Sequence, residues 1–526
     1  MTQPERWKAP AEDGAILFDP PSERIEEILE TNRRRLNSAR LTLLGKPLGE
    51  VRSAAAARIV REIRHNSSQP RVVEDRAPFI VTGHQPELFH PGVWVKNFGI
   101  NGLARRHGLN PLNLIVDGDT VKSTSLHIPQ VSSDAARIHR HAVPFDSWDG
   151  EEPYAFRTIR DSNLFRTFPE RARPLLSEWG FAPMLGEFWD VLVESRSRLA
   201  MTGNMSNTDV RLGDLFSSAR RDIESRWGCR NFELPLSKIC FIPEMVGHLL
   251  TDLPQFQAYY NGCLREYRRR HGLRSNRHPA PDLEADGDRF EAPFWWFDQT
   301  ARRRQRLFVQ MKGDRVSLFP GLNAEPIVVR RGEPDLSDVL QQSGVILMTR
   351  ALMTTLFMRL SVADLFIHGI GGAKYDEVTD NIIRQYFHME PPEYLVVTGT
   401  LRLPLKGFSA TPSDRLRLIR RLRDLRWGPE RFASKTDPAT REMIDEKVRW
   451  LEKQPTTRTG RRMRYRELLR STEALRSRVA REIAEATASL DRCEQELSAN
   501  ELLSRRDYAF PLYPENLLRP FCEQLL

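Results

Sequence analysis

The stretch Phe79-Ile-Val-Thr-Gly-His-Gln-Pro-Glu-Leu-Phe-His-Pro-Gly-Val-Trp-Val-Lys96 decides the predicted fold. Its apolar start predicts a strand, the residues after it predict a polar turn, and Pro91-Gly92 predicts the start of a helix. A second apolar run, Leu112-Asn-Leu-Ile-Val-Asp117, follows and continues into Gly-Asp. This order is typical of the opening of a nucleotide-type α/β domain, in which ligands bind at the carboxyl ends of the strands.

The bulk composition predicts a globular protein of several domains. At roughly 100–200 residues per domain, 526 residues correspond to two to four domains. Lys and Arg exceed Asp and Glu by nine, a modest excess for this length. Arginine clusters are expected to be solvated surfaces, with a phosphate-bearing substrate or a nucleic acid as the alternative. No nucleic-acid module accompanies them, so a nucleic-acid partner is not expected. The clusters lie at residues 33–35, 268–270, 302–304 and 461–462.

The cysteines and the apolar runs indicate a cytoplasmic protein. Five cysteines lie far apart, with no Cys-x-x-Cys pair and no zinc spacing. Neither a signal peptide core nor a run of about 18 apolar residues is present, so no membrane partner is expected. Cys229, Cys240 and Cys263 are predicted to be buried thiols rather than nucleophiles.

Changes in pattern along the chain predict six segments. They are an N-terminal helical lead-in (1–75), the first half of a parallel-sheet core (76–155), a mostly helical insertion (156–290), the second half of the core (291–410), a helical arm (411–505) and a tail packing on the core (506–526). Apolar residues of the arm recur at spacings of three and four, which predicts a coiled-coil hairpin. They are Leu475, Val479, Ile483, Ala486, Leu490, Cys493 and Leu497.

The turn after the first strand is the first candidate site. Gly83, His84 and Gln85 can present backbone N–H groups and an imidazole to a phosphate or carboxylate. His90 precedes the following helix, and Lys96 lies in its early turns, where a cation could reach the same anion. The alternative is that His84 and Gln85 only satisfy backbone groups of a tight turn.

Two acids follow the second strand. Asp117 and Asp119 could hold a metal, an amine or a ribose hydroxyl, or could simply cap their own Asp-Gly turn. No recognised metal-binding motif accompanies them, so no resident metal is predicted.

A second strand-to-helix junction, Leu365-Phe-Ile-His-Gly-Ile-Gly-Gly372, is the other candidate. His368 ends the strand, while Gly371 and Gly372 allow a ligand to approach the backbone closely. Lys374 adds positive charge. Glu377 is either a general acid or base, or an acid that stabilises the helix start. No P-loop, Ser-His-Asp order or kinase signature is present, so use of ATP or ADP as a cofactor stays open.

Both junctions resemble a known family. Val81-Thr-Gly-His-Gln-Pro-Glu-Leu-Phe-His-Pro-Gly resembles the Thr-Gly-Gln-Gln-x-Gly-Leu-Phe-x-Gly-Pro segment of the bacillithiol-biosynthesis cysteine-adding enzymes. Ile367-His-Gly-Ile-Gly-Gly-Ala-Lys-Tyr-Asp-Glu resembles that family's Gly-Gly-Pro-Gly-Glu segment, in the same order along the chain. The second strand ends Asp-Gly-Asp here, where the family has Glu-Asp-His-Asp.

The resemblance implies a Rossmann-like parallel-sheet core with a helical insertion, a C-terminal coiled-coil arm that forms a homodimer, and a ligase reaction. That reaction joins cysteine to the amine of a small amino-sugar conjugate. His84 would then stabilise negative charge, and Asp119 or Glu377 would accept the amine proton. The alternative hypothesis is a non-catalytic scaffold or ligand-binding protein that keeps the fold and dimerises through its arm.

Overall fold

A computed structural model describes residues 7–65, 73–75, 77–239, 242–275, 277–322, 324–330, 339–340 and 342–526. The described part has a mixed α/β architecture with a mostly parallel main sheet. Cys240, predicted as a buried thiol, lies outside the described residues, whereas Cys229 and Cys263 are buried and unpaired.

The strands within the described residues fall into two six-stranded sheets and two small hairpins. In chain order they are β1 (Ile16–Asp19), β2 (Thr42–Leu43), β3 (Lys46–Pro47), β4 (Phe79–His84), β5 (Asn110–Ile115), β6 (Ser125–Pro129), β7 (Arg140–Pro144), β8 (Phe232–Pro235), β9 (Ala285–Asp286), β10 (Arg289–Asp298), β11 (Arg303–Lys312), β12 (Arg315–Pro320), β13 (Ile327–Arg330), β14 (Val345–Thr349), β15 (Ala363–His368) and β16 (Tyr394–Gly399).

The α-helices flank the main sheet and form the arm. Their bounds are Ile25–Ser38, Leu48–His65, Pro91–His107, Ser162–Arg166, Phe168–Leu176, Leu185–Thr202, Leu212–Arg226, Leu236–Ile239, Pro243–Thr251, Leu253–Arg270, Ala351–Ser361, Ile370–Gln385, Pro412–Trp427, Pro438–Glu452, Arg458–Arg478, Ala480–Leu503 and Glu515–Glu523. None of the described helices is long and apolar enough to cross a membrane.

The main sheet has the order β1-β16-β15-β4-β5-β8. All its pairings are parallel except that of β1 with β16 at the edge. Alternate residues of β4 face opposite sides, since Phe79 and Val81 join one apolar cluster and Ile80 joins the other. A sheet buried on both faces requires nearly continuous apolar strands, which is why β4 and β5 show little alternation in sequence.

Strand β8 belongs to the main sheet although it lies within the predicted helical insertion. Its four residues pair with Leu112–Ile115 of β5, which extends the parallel sheet on that side. Apart from β8, β9 and the start of β10, the regular secondary structure described in this segment is helical. Four residues between long helical patterns are too few to show a period of two.

The segment predicted as the second half of the core contributes two different structures. Strands β9–β14 form the second sheet, which is antiparallel, and only β15 and β16 enter the main sheet. The second sheet packs against the end of β5 at Gly118, where a Cβ atom would lie 2.8 Å from Met348 Sδ. Gly118 therefore allows the two sheets to approach closely.

The arm consists of four helices. Helix 412–427 packs along helix 480–503, and helix 438–452 packs along helix 458–478. Val479 interrupts the two longer helices, and its φ of −119° and ψ of 22° are not helical. Asn500 joins the base of the arm to the core-side segment, because its amide accepts from and donates to the backbone of Phe408.

The tail folds back against helix 91–107. Phe510 N donates to the Phe89 carbonyl over 2.9 Å, and its ring centroid lies 4.3 Å from that of Trp94. Further along, the Leu525 carbonyl oxygen sits so close to helix 91–107 that a Cβ atom at Gly102 would lie 1.9 Å from it. The tail thus completes the apolar layer on this face of the main sheet.

Candidate functional site

The strand order of the main sheet reverses between β4 and β15. Going along the chain, β4, β5 and β8 extend the sheet in one direction, and β15 and β16 extend it in the other. In open parallel sheets, ligands bind in the crevice that such a reversal leaves outside the carboxyl ends of the strands. Gly83 and His368 mark those ends, so both predicted junctions lie on the two strands that flank the reversal.

Lys96 lies between these two strand ends. Its side chain is only 5% exposed, and Nζ donates to the Gly83 carbonyl over 3.1 Å. A Cβ atom at Gly369 would lie 3.9 Å from Lys96 Cδ and Cε, so the lysine stem runs beneath the second junction. Burial lowers the pKa of Lys96 to about 8.

No described carboxylate forms an ion pair with Lys96. An ammonium group has three N–H donors, and one carbonyl uses only one of them. Buried charges are ordinarily paired, because desolvating an isolated charge is costly. The arrangement therefore suits an anionic ligand that would supply the missing negative charge.

The start of helix 370–385 adds backbone donors next to Lys96. Gly369 is the N-cap, so Gly371 and Gly372 lie in the first helical turn rather than in a separate glycine-rich loop. The first N–H groups of a helix have no partner within it and attract anions. A Cβ atom at Gly371 would meet no atom within 4 Å, so the backbone there is open to a ligand.

Gln85 and Asp119 connect the ends of β4 and β5, which are neighbouring parallel strands. Gln85 Nε2 donates to Asp119 Oδ2 over 2.6 Å. Nη1 of Arg304, which belongs to the second sheet, lies 3.3 Å from Asp119 Oδ1. The Arg304 guanidinium group also stacks on Trp295, with its Cζ atom 4.5 Å from the ring centroid. Asp119 remains 42% exposed, so its carboxylate is both oriented and accessible.

His84 packs against helix 91–107. Its Nε2 lies 3.0 Å from Asn97 Oδ1 and its Nδ1 lies 3.1 Å from the Gln85 carbonyl. The ring also meets Phe89 edge to face. Burial, reinforced by the positive charges of Lys96 and Arg220, holds the pKa of His84 well below its ordinary value. The contact with Asn97 positions helix 91–107 on the end of β4.

Asp117 and Asp119 have different environments although only one residue separates them. Asp117 is buried, and it accepts hydrogen bonds from the Ser237 backbone N–H over 3.0 Å and from Ser237 Oγ over 2.5 Å. Burial raises the pKa of Asp117 to about 6 despite these bonds. Asp117 thus holds the short helix 236–239 against the end of β5, and Asp119 is the accessible acid of the pair.

His368 belongs to a buried charged cluster. Its Nε2 lies 2.8 Å from Asp376 Oδ2, which also accepts from Arg359 over 2.6 Å. Burial alone would raise the pKa of Asp376, but Arg359 and His368 hold it below its ordinary value. The Asp376 carboxylate accepts this hydrogen bond from Nε2–H, which orients the His368 ring at the end of β15. Gly372 packs on this ring, since a Cβ atom there would lie 2.7 Å from Nδ1.

The remaining predicted residues are placed differently. Glu377 lies 2.8 Å from His271 Nε2 and also pairs with Arg270, so it ties helix 370–385 to helix 253–270. Lys374 is exposed on that helix. His90 is the N-cap residue of helix 91–107, and burial lowers its pKa to about 4.

Two residues at the site were not predicted from the sequence. Arg304 belonged to a cluster interpreted as solvated surface, and only the second sheet places it beside Asp119. Arg359 lies inside an apolar helix and is 1% exposed, so no pattern around it signals an ion pair. The described residues contain no group of three or more His, Cys, Asp or Glu side chains that could hold a metal ion.

No protein-family model matches the sequence, and neither does any curated protein.

Proposed function

We propose that the protein is an enzyme that binds an anionic small molecule at the β4–β15 crevice. The observation that carries this proposal is Lys96, a 5%-exposed ammonium group without a described counter-charge, beneath the start of helix 370–385. A phosphate or carboxylate bound there would meet both the ammonium group and the first-turn N–H groups of helix 370–385, where Gly371 is open.

The reaction we propose is formation of an amide by a ligase or transferase, as the family resemblance of the two junctions implies. In this proposal the core is Rossmann-like, cysteine supplies the carboxyl group, and an amino-sugar conjugate or similar metabolite supplies the amine. ATP is the activating nucleotide, and its phosphates occupy the Lys96 site, where Lys96 takes the charge-stabilising role first predicted for His84.

The chemical step uses the accessible acid at the other side of the crevice. The cysteine carboxylate first attacks the γ-phosphorus of ATP, and the bond from that phosphorus to the bridging oxygen breaks, so that ADP leaves with the electron pair and an acyl phosphate remains. The amine nitrogen then attacks the carboxyl carbon and forms the C–N bond, while the amine proton passes to Asp119. The bond from the carboxyl carbon to the phosphate oxygen breaks, and the phosphate leaves with the electron pair beside Lys96. Gln85 and Arg304 hold Asp119 in orientation.

The second candidate function is a scaffold that assembles through its arm. Large apolar side chains are exposed on the arm, which favours contact with a second copy through a coiled coil. They include Leu416, Trp427, Val448, Leu451 and Met463. The two candidates are compatible, because the proposed crevice belongs to the main sheet and the apolar surface belongs to the arm.

Thermal shift with defined ligands tests the enzymatic proposal. We expect ATP or ADP to raise the melting temperature of the wild-type protein, and we expect Lys96→Met to abolish that rise. Lys435→Met, which removes an exposed arm lysine, should keep it. Incubation with ATP, cysteine and glucosaminyl-malate should yield the amide, detected by mass spectrometry. If no nucleotide or amino-sugar shifts the wild-type protein, the scaffold is the better account.

A further inference from the structure

The arginine clusters of the sequence have different environments in the structure. Three of the four clusters named above make ion pairs with acids from distant parts of the chain. These pairs are Arg33–Asp364, Arg35–Glu393, Arg270–Glu377, Arg302–Glu152 and Arg304–Asp119. The fourth cluster, Arg461-Arg462 near the tip of the arm, makes none with any described acid. Its charge is therefore available to a partner.

This fourth cluster is part of one continuous surface, which we name the arginine face. Its residues recur at the three- and four-residue spacing of a single helix side, and all of them are exposed. They are Arg458, Arg461, Arg462, Tyr465, Arg466, Leu469 and Arg470 on helix 458–478. The opposite side of this helix, with Leu468, Ser471 and Leu475, carries the partly and fully buried positions.

The arginine face is not neutralised from within the arm. Residues 453–470 contain seven Lys and Arg but only one acid, Glu467. Its pair with Arg470 spans 3.9 Å, with the arginine side chain 82% exposed. Helix 438–452 carries four acids, and none of them pairs with the arginine face. Arg464, on the packed side, instead donates to the carbonyls of Trp450 and Leu451.

We propose that the arginine face binds the phosphate backbone of a nucleic-acid strand. Arg458, Arg462, Arg466 and Arg470 are four residues apart, so they repeat about every 6 Å along the axis and span about 18 Å. Guanidinium groups bind phosphate oxygens in a bidentate manner. Tyr465 lies among them with 67% exposure, so its ring can stack on an unpaired base.

The composition of this face favours a nucleic acid over a lipid surface. A helix that binds membranes needs a broad apolar side to insert into the lipid. Here the apolar side of helix 458–478 packs within the arm, and Tyr465 and Leu469 are the apolar members of the arginine face. A polyanion with regularly spaced phosphates matches the repeated arginines more closely than a plane of mobile headgroups does.

Fluorescence anisotropy with the full chain tests the proposal. The probe is a labelled 20-nucleotide single-stranded RNA of mixed sequence, titrated at 50 to 200 mM salt. Five arginines that each meet one phosphate predict a slope of log K against log salt of about −3.5. We expect Arg462→Glu/Arg466→Glu to weaken binding about tenfold or more and to flatten that slope. Tyr465→Ala should weaken it about fivefold or more by removing the stack.

The matched control is Arg481→Glu/Arg492→Glu, which makes the same charge change at exposed positions of helix 480–503. This variant should bind RNA like the wild type, and circular dichroism should show all three variants folded. An equal loss of RNA affinity in the control would show that binding depends only on net charge, and would overturn the proposal. So would absence of RNA binding at 50 mM salt, or tighter binding to anionic phospholipid vesicles than to RNA.

Discussion

The Nζ atom of Lys96 lies 3.1 Å from the carbonyl oxygen of Gly83, across the turn that ends β4. A neutral carbonyl satisfies one donor of a buried ammonium group but leaves its charge without a counter-ion. The unliganded fold therefore has a buried positive charge without a counter-ion at the carboxyl edge of the main sheet, and a bound anion would neutralise it.

Replacing Lys96 by Met should stabilise the unliganded protein at neutral pH. The folded pKa of about 8 lies below the unfolded value of about 10.5, so the penalty is fully present below pH 8. It is relieved as pH rises from 8 to 10.5, because the folded state loses its proton first. The shift corresponds to a gain on the order of 3 kcal/mol for Lys96→Met at pH 7. Urea unfolding at pH 7 and pH 10 measures it.

The difference in the free energy of unfolding between Lys96→Met and the wild type should become smaller as the pH approaches 10. The Lys435→Met variant, which removes an exposed lysine of the arm, is the control and should keep the stability of the wild type. A Lys96→Met protein less stable than wild type at pH 7 would show that Lys96 already has a stabilising counter-charge.

The charge of Asp117 should affect stability with the opposite pH dependence to that of Lys96, because its destabilising effect is lost as the pH falls. Its folded pKa of about 6 lies above the unfolded value of about 4, so the ionised form destabilises the fold at pH 7. Asp117→Asn keeps an acceptor and a donor for Ser237, and should equal or exceed wild-type stability at pH 7. That advantage should fall away between pH 6 and pH 4, as wild-type Asp117 becomes protonated.

Asp117→Ala is the comparison for the hydrogen bonds themselves. It removes both contacts to Ser237 and should lower the free energy of unfolding by about 1–3 kcal/mol. Denaturant titrations of both variants from pH 4 to pH 8 separate the charge from the bonds. Equal losses for Asn and Ala would contradict a destabilising charge.

Two adjacent glycines should respond oppositely to alanine. Gly371→Ala adds a methyl group in open space within a helix and should stabilise the protein by about 0.5–1 kcal/mol. Gly372→Ala would place Cβ 2.7 Å from His368 Nδ1, which must displace the ring from Asp376. Thermal melting should rank Gly371→Ala above wild type and Gly372→Ala below it. Stabilisation of both variants would show that the His368 ring moves freely.

Arg359 should be essential for the stability of the buried cluster. Arg359→Met leaves Asp376 ionised and buried without its guanidinium partner, which costs on the order of 3–5 kcal/mol. Because the folded pKa of Asp376 is lowered, its stabilising pair is present above about pH 4 and is lost as pH falls below that value. The variant should therefore lose stability at pH 7 and lose this acid dependence.

The double variant Arg359→Met/Asp376→Asn is the check on that assignment. It removes the uncompensated charge and should recover part of the lost free energy in guanidinium titrations. A double variant as unstable as Arg359→Met would attribute the loss to packing around Arg359.

The local pattern around β4, helix 91–107 and β5 could be predicted from the sequence, because each element has its own strong signal. Because β4 and β5 pair in parallel, their carboxyl ends lie side by side, and the residues that follow them, Gln85 and Asp119, are in contact. The direction of the His84 side chain could not be predicted, since it depends on Asn97 and Phe89 in the next helix.

Long-range pairing explains the other differences from the sequence predictions. Strand β8 is recognisable only from its partner β5, and the separate antiparallel sheet β9–β14 is recognisable only from its mutual pairings. Gly371 and Gly372 have no side chains that could signal a helix start, so the predicted turn proved to be the first turn of helix 370–385. The pairing of Asp119 with Arg304 follows from the position of the second sheet.

The contact between residues 508–525 and helix 91–107 has a consequence for synthesis. These two parts of the chain are made about 400 residues apart, which at 5–20 residues per second is a delay of roughly 20–80 s. During that time the helix that carries Lys96 lacks the partner that covers Trp94 and Gly102. The apolar surface of β4 and helix 91–107 therefore stays exposed until the tail has been synthesised. We expect this surface to bind chaperones on the ribosome and to be among the last regions to gain protection from proteolysis.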